Sequence, residues 1–155
     1  MDAVLARITG YADYASGVAD VDFVIESVAE NLDIKKSVWA EVEHAAPKDA
    51  ILSTNTSGLS PTALQSVLKK PERFVVAHFW NPAQLMPLVE VVPGEKTDPK
   101  VVDITFDLMA KIGKKPAKIK KESLGFVGNR LQLAVLREAF YISSRASRTR
   151  PPWTT

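Results

Sequence analysis

Two titratable side chains each interrupt an apolar run. His78 lies near the end of "FVVAHF", residues 74–79, and Glu90 lies inside "LVEVVP", residues 88–93. Charged side chains are rarely buried without a partner, so the two are expected to be each other's partner. Histidine exchanges a proton near neutral pH. A carboxylate on one ring nitrogen fixes the tautomer and steadies the imidazolium formed when the other nitrogen takes a proton. The stretches "STNTSGLS", 53–60, and "GFVGNRLQ", 125–132, add Ser57 and Asn129, which can hydrogen-bond a small polar ligand. Such a set is equipped to take a proton from a hydroxyl. Spacing alone leaves a plainer reading open. His78 then becomes a satisfied structural residue, Glu90 an edge charge facing water, and Asn55 and Ser57 turn and capping groups. Glu30 and Asn31 then simply start a helix. His44 reads as a solvent-facing helix residue, and Phe79 with Trp80 as core or cleft wall.

The elements that must position these groups alternate. "VDFVIESV", 21–28, is an apolar run with one acid near its end, suited to a strand buried on both faces. "NLDIKKSVWAEVEHAA", 31–46, puts Leu32, Lys35, Trp39 and Val42 at helical spacing with Val38 beside them, and Pro47 ends it. A second strand is expected over 50–56. Ser60 followed by Pro61 opens a helix to about Leu68. Strands follow at 74–79 and 88–93. Asp98-Pro99 opens a further helix with Val101, Ile104, Leu108 and Ile112 inward and Gly113 as its stop. "PAKIKK", 116–121, reads as an edge strand, and a last helix is expected over 125–142. Repeated strand–helix units imply an α/β fold with a parallel sheet. Ligands of such sheets bind beyond the carboxyl ends of the strands, where His78 and Ser57 fall.

The 155 residues suit one main domain, with 46% apolar and 25% charged residues. No apolar run reaches the roughly 20 residues that span a bilayer. "MDAVLARITG" lacks the pattern of a signal peptide, and there is no cysteine. A cytoplasmic location is the expectation, with no membrane and no metal site. The net charge is +2, yet Arg145, Arg148 and Arg150 sit in the last thirteen residues, "SSRASRTRPPWTT", without an acid. The body then carries 17 basic against 18 acidic residues, so no nucleic-acid partner is expected.

Four pieces, "DFVIESVAENLDIKK", "ILSTNTSGLS", "RFVVAHFWNPAQLMPLVEVVPGEKT" and "GFVGNRLQ", occur in this order between about Leu5 and Ile142. Together they resemble the NAD-binding domain of the L-3-hydroxyacyl-CoA dehydrogenase family, in its bacterial 3-hydroxybutyryl-CoA dehydrogenase-like branch. The resemblance implies a partial Rossmann-type, doubly wound sheet over 1–124, the first helix of a helical C-terminal domain over 125–142, and a non-homologous basic tail over 143–155. It implies NAD as cofactor and an acyl-CoA substrate, oxidised from L-3-hydroxyacyl-CoA to 3-oxoacyl-CoA as in fatty acid metabolism. His78 is then the general base and Glu90 the group that orients and charges it, with Ser57 and Asn129 holding the substrate oxygen. Glu30, Lys35, Asn55 and Ser57 match positions at the nicotinamide side of the cofactor. Asn81 is expected to support the histidine loop.

Departures from the family pattern shape the alternatives. The seven glycines, at 10, 17, 58, 94, 113, 125 and 128, form no G-x-G-x-x-G turn, so the first βαβ unit and its pyrophosphate site are expected to be absent. In the strand order 3-2-1-4-5-6 the segment 21–28 is taken as the third strand, which leaves two edges bare and predicts poor independent stability or closure of the gap. One back-translation of the tail, restored by a single base, reads VEQGIADAATVDD, much like the family's continuation. A one-base deletion is therefore expected, and the gene sequence tests it. The alternatives are an inactive fragment that binds a partner, such as a second copy or a separately encoded missing piece, and a related dehydrogenase of carnitine or sugar acids.

Overall fold

The computed structural model describes residues 2–146. Five strands form one sheet in chain order: β1 (Phe23–Glu26), β2 (Ile51–Thr54), β3 (Phe74–Phe79), β4 (Leu88–Pro93) and β5 (Lys115–Lys118). The pairs β1–β2, β2–β3 and β4–β5 are parallel, but β3 and β4 are antiparallel. The wholly parallel sheet expected from the alternation is thus corrected at one joint. The reason is length: only residues 80–87 link β3 to β4, and a parallel crossover needs a dozen or more.

The placement of the first strand is also corrected. β1 lies directly against β2, in register from Phe23↔Ile51 to Glu26↔Thr54. No gap inside the sheet has to be closed. The outer edge of β1 pairs with no other strand among the described residues, and Ile25 beside it is 46% exposed.

Among the described residues six α-helices complete the fold: α1 (Asp2–Leu5), α2 (Tyr14–Val18), α3 (Leu32–Ala45), α4 (Pro61–Gln65), α5 (Pro99–Lys111) and α6 (Gly128–Ala146). Asn31 caps α3 by accepting from the amides of Asp33 and Ile34. Ser60 caps α4 and Asp98 caps α5, each followed by proline at the first helical turn. Strand alternation sorts the core into two layers. Leu52 and Phe74 face α3 and α4, where Trp39 meets Phe74 edge-on at 5.1 Å. Ile51, Val75, Ala77, Val89 and Val91 face α5 and Met109. Full burial of each such side chain is worth about 1.5–3 kcal/mol, which fixes the sheet register and with it the site.

Helix α5 turns its face differently from the expectation. Ile104 and Ile112 are exposed, whereas Thr105 and Met109 are fully buried and Val101, Val102 and Leu108 pack against the core. The stripe 101/105/108/109 competes with 101/104/108/112, and the polar Thr105 disguised the winning one. Gly113 does stop the helix region, with φ +86°. The last helix begins at Gly128 rather than 125, after a turn in which Gly125 and Phe126 both take positive φ, +74° and +50°. From Arg130 to Arg145 every residue of α6 is exposed. The tail beyond Ala146 lies outside the described residues, so the expectation for its sequence stands apart from the fold.

Candidate active site

Residues of one parity on β3 and β4 share the face opposite α5, so His78 and Glu90 project side by side. Their register is direct, His78↔Glu90, and His78 Nδ1 lies 3.0 Å from Glu90 Oε2. Both are almost wholly buried, at 5% and 2% exposure. The rings of Trp80 and Phe126 flank the imidazole at 5.6 and 5.7 Å. Among the described residues no protein group hydrogen-bonds His78 Nε2, and it is not among the sealed, partnerless atoms. One ring nitrogen is therefore committed to a carboxylate while the other stays open to a ligand.

Glu90 is held on all sides. Its Oε2 also accepts from Trp80 Nε1 at 3.2 Å, and its Oε1 accepts from the amides of Val127 and Gly128 at 3.1 and 3.0 Å. Burial pushes its carboxyl up, but the Gly128 amide, His78, Trp80 and the Val127 amide together outweigh burial and hold it below the usual glutamate value. The two amides open α6, so the carboxylate also neutralises the positive end of that helix.

The second half of the site grows from β1 and β2. Lys35 reaches up from α3, only 1% exposed, and its ammonium touches Glu26 Oε1 at 2.6 Å and the Val28 carbonyl at 3.1 Å. Glu26 in turn accepts from the Thr54 hydroxyl and the Val28 amide, both at 2.6 Å. Glu30, half-exposed, lies 3.6 Å from the same ammonium through Oε2. Its Oε1 gathers the Thr56 hydroxyl at 2.6 Å and the amides of Ser57 and Gly58 at 2.8 and 3.2 Å. Burial raises its carboxyl, yet Thr56, the Ser57 amide, Lys35 and the Gly58 amide leave it lowered on balance. Asn129 Nδ2 donates to the Ser57 carbonyl at 2.7 Å. A continuous polar chain thus runs from His78 through Glu90, the start of α6, Asn129, Ser57 and Glu30 to Lys35 and Glu26.

The structure brings the sequence-derived set His78, Glu90, Ser57, Asn129, Glu30, Lys35 and Asn55 to the same end of the sheet, with two refinements. Lys35, expected at the cofactor, is packed beneath Glu30 and 1% exposed. The loop after β3 is tied by Asn55, whose Oδ1 accepts from the Phe79 amide at 2.8 Å. Asn81, expected to support that loop, is exposed and makes no hydrogen bond among the described residues. Sequence reasoning missed the part played by Glu26, although its position as the acid at the apolar run's end was the available signal. It also missed the indole donor of Trp80.

The fold is thus a Rossmann-like α/β sheet with a buried histidine–glutamate pair at one end of its strands. The profile of the 3-hydroxyacyl-CoA dehydrogenase NAD-binding domain matches residues 1–123, and the chain belongs to this family of NAD-dependent dehydrogenases. It is 46% identical over 137 residues to L-carnitine dehydrogenase of Mesorhizobium japonicum, a match covering 88% of this chain and 38% of that protein. It is 41% identical to 5-formyl-3-hydroxy-2-methylpyridine 4-carboxylate 5-dehydrogenase of the same organism, covering 86% and 43%. The solved structure of (S)-3-hydroxybutyryl-CoA dehydrogenase from Ralstonia eutropha superposes with TM-score 0.88 at 33% identity, covering 97% of this chain and 52% of that one. The chain thus spans less than half the length of these two curated relatives. No helix among the described residues is long and apolar enough to cross a membrane.

Proposed function

We propose that the chain carries the proton-accepting pair and the nicotinamide end of an NAD-dependent dehydrogenase that oxidises the 3-hydroxyl of a short hydroxy acid, with L-carnitine as the favoured substrate. The observation that carries the reading is the buried His78–Glu90 pair with Nε2 left open. His78 Nε2 takes the hydroxyl proton, and Glu90 steadies the imidazolium through Nδ1. The Ser57 hydroxyl and the second N–H of the Asn129 amide are the donors that hold the substrate oxygen. Bound NAD supplies the hydride acceptor.

The residues present fit the nicotinamide end of that cofactor. Glu30 offers a half-exposed, ionised carboxylate with one oxygen free of short bonds, suited to a ribose hydroxyl, and Lys35 supports it from below. Asn55 stiffens the neighbouring loop. Nothing among the seven glycines forms a cradle for the pyrophosphate.

Two observations favour carnitine. Several similar relatives bear that name. The half-buried Trp80 also stands beside His78, and an indole face attracts a quaternary ammonium. The second reading, an L-3-hydroxyacyl-CoA, is favoured by the likeness to 3-hydroxybutyryl-CoA dehydrogenase. The test follows NADH formation by the purified chain with L-carnitine and with L-3-hydroxybutyryl-CoA. Turnover of carnitine, lost in His78→Gln, is the expected result. Turnover of the CoA ester alone moves the assignment to the second reading. NADH binding without turnover of either removes catalysis by this chain.

A further inference from the structure

Glu90 Oε2 serves two donors at once, His78 Nδ1 at 3.0 Å and Trp80 Nε1 at 3.2 Å. An indole N–H can only donate, so this is a true hydrogen bond in either state of the histidine. The ring is also fixed in place. A Cβ added at Gly128 would collide with Trp80 Cζ2, so the indole lies directly on the backbone that opens α6. It cannot leave Glu90 without leaving that seat.

A donor on a carboxylate oxygen spreads its negative charge and weakens what remains for a neighbouring cation. We propose that Trp80 is a positioning residue that sets the base strength of His78 by sharing Glu90 Oε2, with Gly128 as the seat that holds the indole there. The proposal rests on the reading of His78 as proton acceptor and deepens it. With the indole in place, the imidazolium is less stabilised than in an undivided histidine–carboxylate pair. His78 then takes the hydroxyl proton and still releases it readily for the next cycle.

The charges on the surrounding elements do not supply this effect. Lys114, on the β5 side, is bound to the carbonyls of Ala83 and Met86, and Lys118 is paired with Asp103. Before α6, Glu122 is spent on Ser60 and the Thr62 amide. On α6, the Arg130 side chain runs along Gly125. On β2, Thr54 shares the sheet face of the pair and is uncharged, its hydroxyl given to Glu26. Glu90 is the one carboxylate hydrogen-bonded to His78 among the described residues.

The full chain contains two histidines, His44 and His78, so an NMR titration of their ring signals resolves the question, with His44→Gln for assignment. Trp80→Phe keeps the ring and removes the donor. Gly128→Ala keeps the donor and drives the ring off its seat. Each is expected to move the His78 ring signals' titration midpoint to higher pH than in the unsubstituted chain. An unchanged or lowered pKa in folded Trp80→Phe overturns the proposal. If that variant fails to fold, an unchanged or lowered value in Gly128→Ala does the same. A His78 that titrates as expected in a chain that turns over no substrate retires the dehydrogenase reading and leaves this one standing.

Discussion

Replacing Lys35 by methionine tests the buried polar chain at its most expensive link. Lys35 and Glu26 meet at 2.6 Å with side-chain exposures of 1% and 3%. At an effective dielectric near 20 their attraction is about 6 kcal/mol, and most of it offsets the cost of drying both ions. The pair itself adds little, but breaking it does not. Lys35→Met leaves Glu26 charged, buried and supported only by the Thr54 hydroxyl and the Val28 amide. The expected loss is about 3–5 kcal/mol, a large share of the roughly 5–15 kcal/mol of a typical domain. Urea denaturation measures it as a lower midpoint at unchanged slope. Adding Glu26→Gln to Lys35→Met should recover most of the loss, because no stranded charge remains. A double-mutant cycle reads the recovery as a coupling energy. A loss below about 1 kcal/mol in Lys35→Met, or strict additivity in the pair, would refute the argument that the ions depend on each other.

Two further outcomes follow from the same reasoning. Glu90 and Glu30 both have carboxyls held below the ordinary 4.5, so their folded pKa lies under the unfolded one. Their stabilisation is complete above the unfolded value and is lost as the pH falls below it through the folded pKa; urea midpoints measured down that range should drop, and drop less in Glu30→Gln. Thr105 is fully buried on α5, and its hydroxyl has no partner among the described residues. Thr105→Val should therefore raise stability by about 1 kcal/mol, and a lower melting temperature in that variant would show that the hydroxyl has a partner after all.

The His78–Glu90 pair was legible because each side chain is the one titratable group in an otherwise apolar run, and apolar runs fix strand faces. Alternation then leaves only one way for the two to meet. The antiparallel joint between β3 and β4 was also written in the sequence, as a link too short for a crossover, but the repeated strand–helix rhythm masked it. The neighbour of β1 could not be read, since strand order is decided by packing between distant segments. Thr105 misled the reading of α5 because a hydroxyl counts as polar in any pattern, even where the helix buries it. Asn55 and Asn81 look equivalent as turn residues; only the approach of the loops after β2 and β3 decides which one bonds the backbone.

Helix α6 adds a mechanical consequence. Its nineteen residues extend roughly 28 Å, and from Arg130 onward its side chains are exposed. Its attachments to the sheet domain are gathered at one end, on Glu90 and on the Ser57 carbonyl. It is a lever with its fulcrum at the Glu90 carboxylate, the partner of His78. A wide swing at the far end is a small displacement beside the fulcrum, so a force on the far end of α6 would arrive at Glu90 geared down in distance and magnified in strength.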